Sequence, residues 1–389
     1  MLNDNHMGEN KMVKPIRRIV AGNDDNGKAV VLSDGPSKDV KIDPARPGFA
    51  STRLWVTDAT PARVAGIRDT LDLPHSLEPP IGGTACRFVE FPPDKNWIGS
   101  VRPADVSAWF AAMDSSGAHV SGPHPYMQRT QSLDLCYILE GEIALVLDTG
   151  EVPLGAGTAV VLNGARHAWA NHSDRPALVI MSQHSGVDEI APPPPNAEVR
   201  PGAATSPPEK VTGLIRRVVA AQDAQGRSRV IADGPVPNAF PRPSGSWFYE
   251  LWTLDEGPAR LLGEVDAGRK GRTVMHSPPP VGANWRISYN ESITPPAKVA
   301  SIDDKTAKAM DTGGGTERRE GGKIAGMHRT PSLDYAICLE GDRVLLLEDS
   351  EVVLNKGDVV IQCGNWHSWG PKSDMPTIMS YVMIGGEFG

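Results

Sequence analysis

Cysteine is scarce. The 389-residue chain has four, Cys86, Cys136, Cys338 and Cys363, and no two stand at the Cys-x-x-Cys spacing of a metal or redox motif, which leaves four reduced, buried thiols as the expectation. Basic residues are no more plentiful than acidic ones: 39 Lys and Arg against 47 Asp and Glu give a net charge of -8. That balance argues against a nucleic-acid surface, which needs clustered cations. The pairs Arg17-Arg18, Arg216-Arg217 and Arg318-Arg319 are the only short basic clusters, and they read as solvated strand ends or ligand-facing pairs. No stretch approaches the roughly 20 apolar residues of a membrane span. Met1 to Lys14 is polar, without the apolar core of a signal peptide. The resulting expectation is a cytoplasmic protein with no nucleic-acid or membrane partner, working on a small molecule.

What is present is a duplication. Residues 327 to 341 read Met-His-Arg-Thr-Pro-Ser-Leu-Asp-Tyr-Ala-Ile-Cys-Leu-Glu-Gly, and residues 127 to 141 read Met-Gln-Arg-Thr-Gln-Ser-Leu-Asp-Leu-Cys-Tyr-Ile-Leu-Glu-Gly. Downstream, Gly364-Asn365-Trp366-His367-Ser368-Trp369 repeats Gly164-Ala165-Arg166-His167-Ala168-Trp169. Upstream, Ile215 to Ala232 repeats the hairpin pattern of Ile16 to Ser33, each ending in Asp-Gly-Pro. Short runs rich in Val, Ile and Leu, punctuated by Gly, Asn and Asp, predict antiparallel strands in a sandwich or barrel. The hairpins are expected to extend or cover sheet edges, because an exposed edge invites aggregation.

The two motifs carry a resemblance. His and an acidic residue ahead of a Leu-Glu-Gly turn, followed by Gly-x-x-His, are similar to the two signature motifs of the cupin superfamily. The fuller pattern His-Arg-Thr-x-Ser-Leu-Asp-Tyr resembles the small cupin-domain oxidoreductases of aromatic-polyketide clusters and their bacterial relatives. The resemblance implies an all-β chain of two tandem double-stranded β-helix (jelly-roll) barrels with few short helices. It divides the sequence into an N-terminal domain at 13–190, a Pro-rich linker at 191–210 and a C-terminal domain at 211–389. Cupin sheets commonly pair, so a homodimer, or its equivalent within one chain, is also implied.

By the same resemblance the metal ligands would be His328, Asp334 and His367. The second histidine of the usual His-x-His is Thr330 here, and in the first copy Gln128 replaces His328 as well, leaving Gln128, Asp134 and His167 as a degenerate set. Two imidazoles and one carboxylate leave coordination positions open and favour Fe(II), with Mn, Ni or Zn as alternatives. Against this stands a metal-free polar pocket. Thr330, Tyr335 and Trp369 are substrate-pocket candidates, and Trp366 is a further aromatic. Arg329, facing away from His328 by strand parity, is expected to bridge to Glu340 or Asp342.

The remaining expectations concern the periphery. Asp105 to Met113 and Asp303 to Met310 are the helix candidates. His75 and His276 correspond across the repeat, yet each sits beside Ser and Pro and reads as a loop residue. Nothing after Glu387 reads as structured. The functional expectation is a metal-dependent oxidoreductase or dioxygenase acting on a small aromatic or polyketide-like compound. The alternatives are a non-redox isomerase, cyclase or dehydratase, or a metal-free binding protein.

Overall fold

The computed structural model describes residues 13–64, 69–189, 215–241, 246–269, 277–291, 315–319, 324 and 326–388. The N-terminal tail, the segment expected as linker, the helix expected at 303–310 and His276 lie outside them. The described chain is almost wholly β, as alternating apolar runs broken by Gly turns require. It forms two nine-stranded sheets, each faced by a three-stranded sheet. The duplication is visible in the strand order. One large sheet runs through Trp247–Leu254, Ala283–Asn290, Thr377–Glu387, Ser332–Glu340 and Val359–Cys363, and the other through Ala50–Thr57, Thr84–Phe91, Ala177–Asp188, Ser132–Glu140 and Thr158–Asn163. These are equivalent strands in the same order, so the chain is two tandem barrels.

The two halves exchange hairpins. Arg17–Asn23, with its partner Ala29–Pro36, lies parallel to Val359–Cys363 of the second half, with Arg18 opposite Val359 and Ala21 opposite Gln362. Arg216–Gln222, with Ser228–Pro235, lies parallel to Thr158–Asn163 of the first half. Two short strands repeat the exchange: Ala62–Arg63 pairs with Gly386 and Glu387, and Ala259–Leu261 with Gly186 to Asp188. The hairpins therefore extend sheets, but each extends the sheet of the opposite half. This covers the edges of Thr158–Asn163 and Val359–Cys363 with a neighbouring strand.

Between the large sheets lies one continuous apolar layer drawn from both halves, including Leu133, Tyr137, Val161 and Ile180 from the first and Trp285, Leu333, Ile361 and Val382 from the second. Successive strand residues point to opposite faces. The intervening residues of the same strands therefore face the small sheets, forming one interior per barrel. Two of the three basic pairs, Arg17-Arg18 and Arg216-Arg217, are neither solvated ends nor ligand-facing. The outer member of each pair, Arg17 or Arg216, bonds Asp34 or Asp233. The inner member is buried, with Arg18 on Asp69 at 2.5 Å and Arg217 on Asp266 at 2.6 Å, since a charge taken from water needs a close counter-charge.

Two local features position the site. The Leu-Glu-Gly turns end in Gly141 and Gly341 with φ of 79° and 74°, where a Cβ would also strike the backbone oxygen of Pro176 or Pro376, so only glycine fits. The helix expected at 105–113 spans Pro103–Ala112; it begins earlier because proline suits the first helical position. Its Val106, Trp109 and Phe110 close the first barrel together with Phe49, Trp97 and Tyr126. Phe388, beyond the last residue expected to be structured, packs its ring 4.5 Å from the Arg329 guanidinium.

The exchange predicts that residues 1–200 and 201–389, co-expressed as separate chains, co-purify as one particle of the intact chain's 41.6 kDa, and that either piece alone aggregates because its sheet lacks the donated hairpin. Size-exclusion chromatography with light scattering checks this; two separate soluble monomers would contradict the exchange.

Candidate active site in the second barrel

Three strands meet at the mouth of each barrel. In the second, Arg318 lies opposite His328 and His328 opposite His367, the last pair exchanging two backbone hydrogen bonds of 2.9 Å. Directly opposed residues of antiparallel strands share a face. The two imidazoles accordingly sit with ring centroids 4.4 Å apart. Each is oriented by its neighbouring loop: Nδ1–H of His328 donates to the Gly326 carbonyl at 2.9 Å, and Nδ1–H of His367 to the Asn365 carbonyl at 3.0 Å. That fixes the lone pair on Nε2 of both rings, the tautomer a metal ligand needs. Burial pushes the His367 pKa down to about 4, so this ring is neutral at pH 7.

The first barrel has the same ladder with different chemistry: His119 opposite Gln128, Gln128 opposite His167. The Gln128 Nε2 amide lies 3.1 Å from His167 Nε2, which accepts because its Nδ1–H already donates to the Ala165 carbonyl. Glutamine thus occupies the lone pair that a cation would need. His119 stacks on Phe110 at 5.0 Å and donates to the Pro125 carbonyl.

The acidic residues of the motifs are also buried. Asp134 is buried, 2.5 Å from Ser132 Oγ and 3.5 Å from Gln183 Nε2, with its pKa raised by burial to about 6. Asp334 is also buried, but its Oδ1 has no hydrogen-bond partner, and burial raises its pKa to about 7. It sits opposite Gln362 on one neighbouring strand and Met383 on the other, and the buried Gln362 leaves both amide atoms unpartnered. Among the described residues no three His, Cys, Asp or Glu side chains are grouped so as to hold a metal ion. The His328–His367 pair suits a metal's nitrogen ligands, but Asp334 does not stand with it as a third ligand in this arrangement.

The other site candidates separate by strand parity. Trp369 lies beside the pair, its ring centroid 6.1 Å from that of His367 and 5.8 Å from that of the half-buried Tyr381. Thr330 is buried and bonds Ser332 Oγ at 2.7 Å, a local contact. Tyr335 points the opposite way from Asp334: fully buried between the halves, it bonds Thr84 of the first at 2.7 Å, so it does not line the barrel interior. Arg329 does form an ion pair, but with Glu317 at 2.7 Å instead of Glu340 or Asp342, because its two-residue strand lies against Glu317–Arg318. His75 is held by Asp39 at 2.8 Å beside the Asp39–Arg53 ion pair, a buried structural network.

The interior of the second barrel holds residues that motif reading missed. At the 200-residue offset, Ile143, Leu162 and Met181 of the first barrel's apolar interior become Arg343, Gln362 and Tyr381. Arg343 shares the inward face of Leu345, and its buried Nε has no partner. Unpartnered polar atoms in a barrel interior call for water or a ligand. The signal was available: at the 200-residue offset, apolar Ile143, Leu162 and Met181 of the first copy stand against polar Arg343, Gln362 and Tyr381 of the second.

Residues 117–182 match the family model described as Cupin domain. Phomopsin biosynthesis cluster proteins C' and D of Diaporthe leptostromiformis are each 28% identical over 132 residues, 33% of this chain and 66% of theirs, so the chain spans just under two thirds of those relatives. The cupin-domain-containing oxidoreductase virC of Hypocrea virens is 35% identical over 65 residues, 16% of this chain and 34% of that protein. AerE from Microcystis aeruginosa overlays loosely, with a TM-score of 0.40 and 8% identity over 89% of this chain and 96% of that one. The family match makes residues 117–182 of the first barrel a cupin domain, and the second barrel repeats its motifs and strand order. Among the described residues no helix is long and apolar enough to cross a membrane.

The raised pKa of Asp334 sets a pH test. Its folded value of about 7 exceeds the ordinary unfolded value of about 3.9, so the folded state holds the extra proton and stability falls as pH rises between the two. In the presence of chelator, Asp334→Asn is expected to melt above the parent by roughly 2–4 °C per kcal/mol relieved at pH 8.5, by about a third of that difference at pH 5, and nearly with it only below the unfolded pKa, at pH 3.5. A difference independent of pH would show that Asp334 is not a buried acid.

Proposed function

We propose that the second barrel is the working half of a cupin-type oxidoreductase that acts on a small aromatic or polyketide-like compound, and that the first barrel is structural. The observation that carries this reading is the asymmetry of the two interiors. The second presents two imidazoles with Nε2 lone pairs, a half-buried Trp369–Tyr381 wall, and unpartnered polar atoms on Asp334, Gln362 and Arg343. The first has Gln128 bonded onto the His167 Nε2 lone pair and, around the buried Arg87, Asp134 and Gln183, a mostly apolar fill. The oxidoreductase class is supported by the name of the virC relative.

A divalent metal, Fe(II) in the first instance, would be held by His328 and His367, with Asp334 joining only if its carboxyl moves toward them. Such an ion supplies open coordination positions for redox or Lewis-acid chemistry. The chain's own residues orient the two rings through the Gly326 and Asn365 carbonyls and wall the site with Trp369. Asp334, whose pKa lies close to neutral, can hold or release a proton at its unpartnered Oδ1. The separation of Asp334 from the histidine pair favours one second reading, a metal-free small-molecule-binding barrel.

Metal analysis of protein purified without chelator, followed by spectroscopy under nitrogen and then air, discriminates these readings. Redox-active iron supports the oxidoreductase, stoichiometric zinc a non-redox enzyme, and absence of metal the binding barrel. His328→Ala or His367→Ala is expected to remove most of the bound metal with the fold intact, whereas His167→Ala changes metal content little. Equal loss from His167→Ala and His367→Ala would make both barrels sites.

A further inference from the structure

The three-strand ladder at the mouth of the second barrel contains a residue the proposed chemistry does not yet use. Arg318 lies opposite His328, which lies opposite His367, so all three side chains emerge on one face. Its neighbours are committed elsewhere. Arg319 bonds Glu348 and covers the Trp366 ring at 4.6 Å, and Arg329 bonds Glu317 and lies 5.1 Å from the same ring. Arg318 has no carboxylate partner among the described residues, although the chain carries an acidic excess. Its Nε is cut off from solvent without a hydrogen bond. A solvated strand-end arginine would have that nitrogen in water. A guanidinium is always charged, and a buried unpartnered N–H on it is costly, so the position is suited to an anion supplied from outside.

The first barrel supplies the contrast. The equivalent of Arg318 is His119, which is fully engaged by the Phe110 ring and the Pro125 carbonyl and so offers no donor to a ligand. Cation and histidine pair occur together in one barrel and are missing together from the other.

We infer that Arg318 is the specificity-determining residue of the second-barrel site and binds a carboxylate on the substrate, holding that group beside His328 and His367 while the aromatic part lies toward Trp369 and Tyr381. This rests on the second barrel being the working site. A planar carboxylate matches the guanidinium fork, which a hydroxyl or neutral amide does not.

The test uses the full chain with metal removed by chelator, and isothermal titration with benzoate and with its neutral isostere benzamide. The parent is expected to bind benzoate about tenfold more tightly than benzamide, the scale of one charge-assisted bond. Arg318→Gln should abolish that preference while leaving benzamide affinity unchanged, which also shows that the site is still folded; Arg319→Gln should leave both affinities as in the parent. Equal binding of the two probes by the parent, or a preference that survives Arg318→Gln, overturns the role of Arg318 while the site itself stands. Loss of both probes together in Arg318→Gln overturns it too, as a structural role. If neither probe binds the parent, the inference and the second-barrel reading fall together.

Discussion

The parallel pairing of each exchanged hairpin with the opposite half is the constraint on which the rest depends. Arg18 to Ala21 against Val359 to Gln362, and Arg216 to Ala221 against Thr158 to Asn163, fix the register of the strand that faces the Asp-bearing strand in each barrel. A slip of one residue would turn Gln362 and Val360 out of the interior and bring Ile361 into it. The shared apolar layer would lose its alternation at the same time. Because one face of every central strand is claimed by that layer, the other face is left to form the barrel interior, and the interior's chemistry is free to vary between halves.

It has varied at several inward positions: three apolar residues of the first interior are polar in the second, and Gln183 of the first is Met383 in the second. The first interior is filled by Ile143, Leu162, Met181 and Trp169 and closed by the aromatic residues around the helix Pro103–Ala112. The second carries Arg343, Gln362 and Tyr381 at the matching strand positions. An apolar interior contributes stability in proportion to the area removed from water, whereas buried polar atoms without partners lower it. A duplicated protein can hold both, because the first barrel and the common layer stabilise a particle whose second barrel is strained toward binding. The buried acid Asp334 belongs to that cost: with its pKa raised by desolvation, it weakens the fold near neutral pH and is chemically available there.

The reading of the histidines follows the same logic. A lone histidine near a turn says little, but here a loop carbonyl on each Nδ1 fixes both rings, and the opposite-strand residue decides what the remaining nitrogen does. In the first barrel Gln128 takes it. In the second a histidine stands in that place, so the sidedness of the chain reduces to one position on one strand pair.

Much of this was legible in the sequence because it is local. The duplication, the strand runs, the Gly141 and Gly341 turns and the difference between Gln128 and His328 are all matters of periodicity, spacing or residue identity. Parity also foretold that Arg329 points away from His328, although not that Glu317 receives it. What the sequence could not determine were contacts between residues far apart in the chain: which half each hairpin completes, the turning of Tyr335 toward Thr84, the burial of Arg18 and Arg217, and the separation of Asp334 from the histidine pair. Strand register is set by packing between sheets, and the position of a short carboxylate relative to two imidazoles depends on that register and on barrel curvature, neither of which is written in any single stretch of residues.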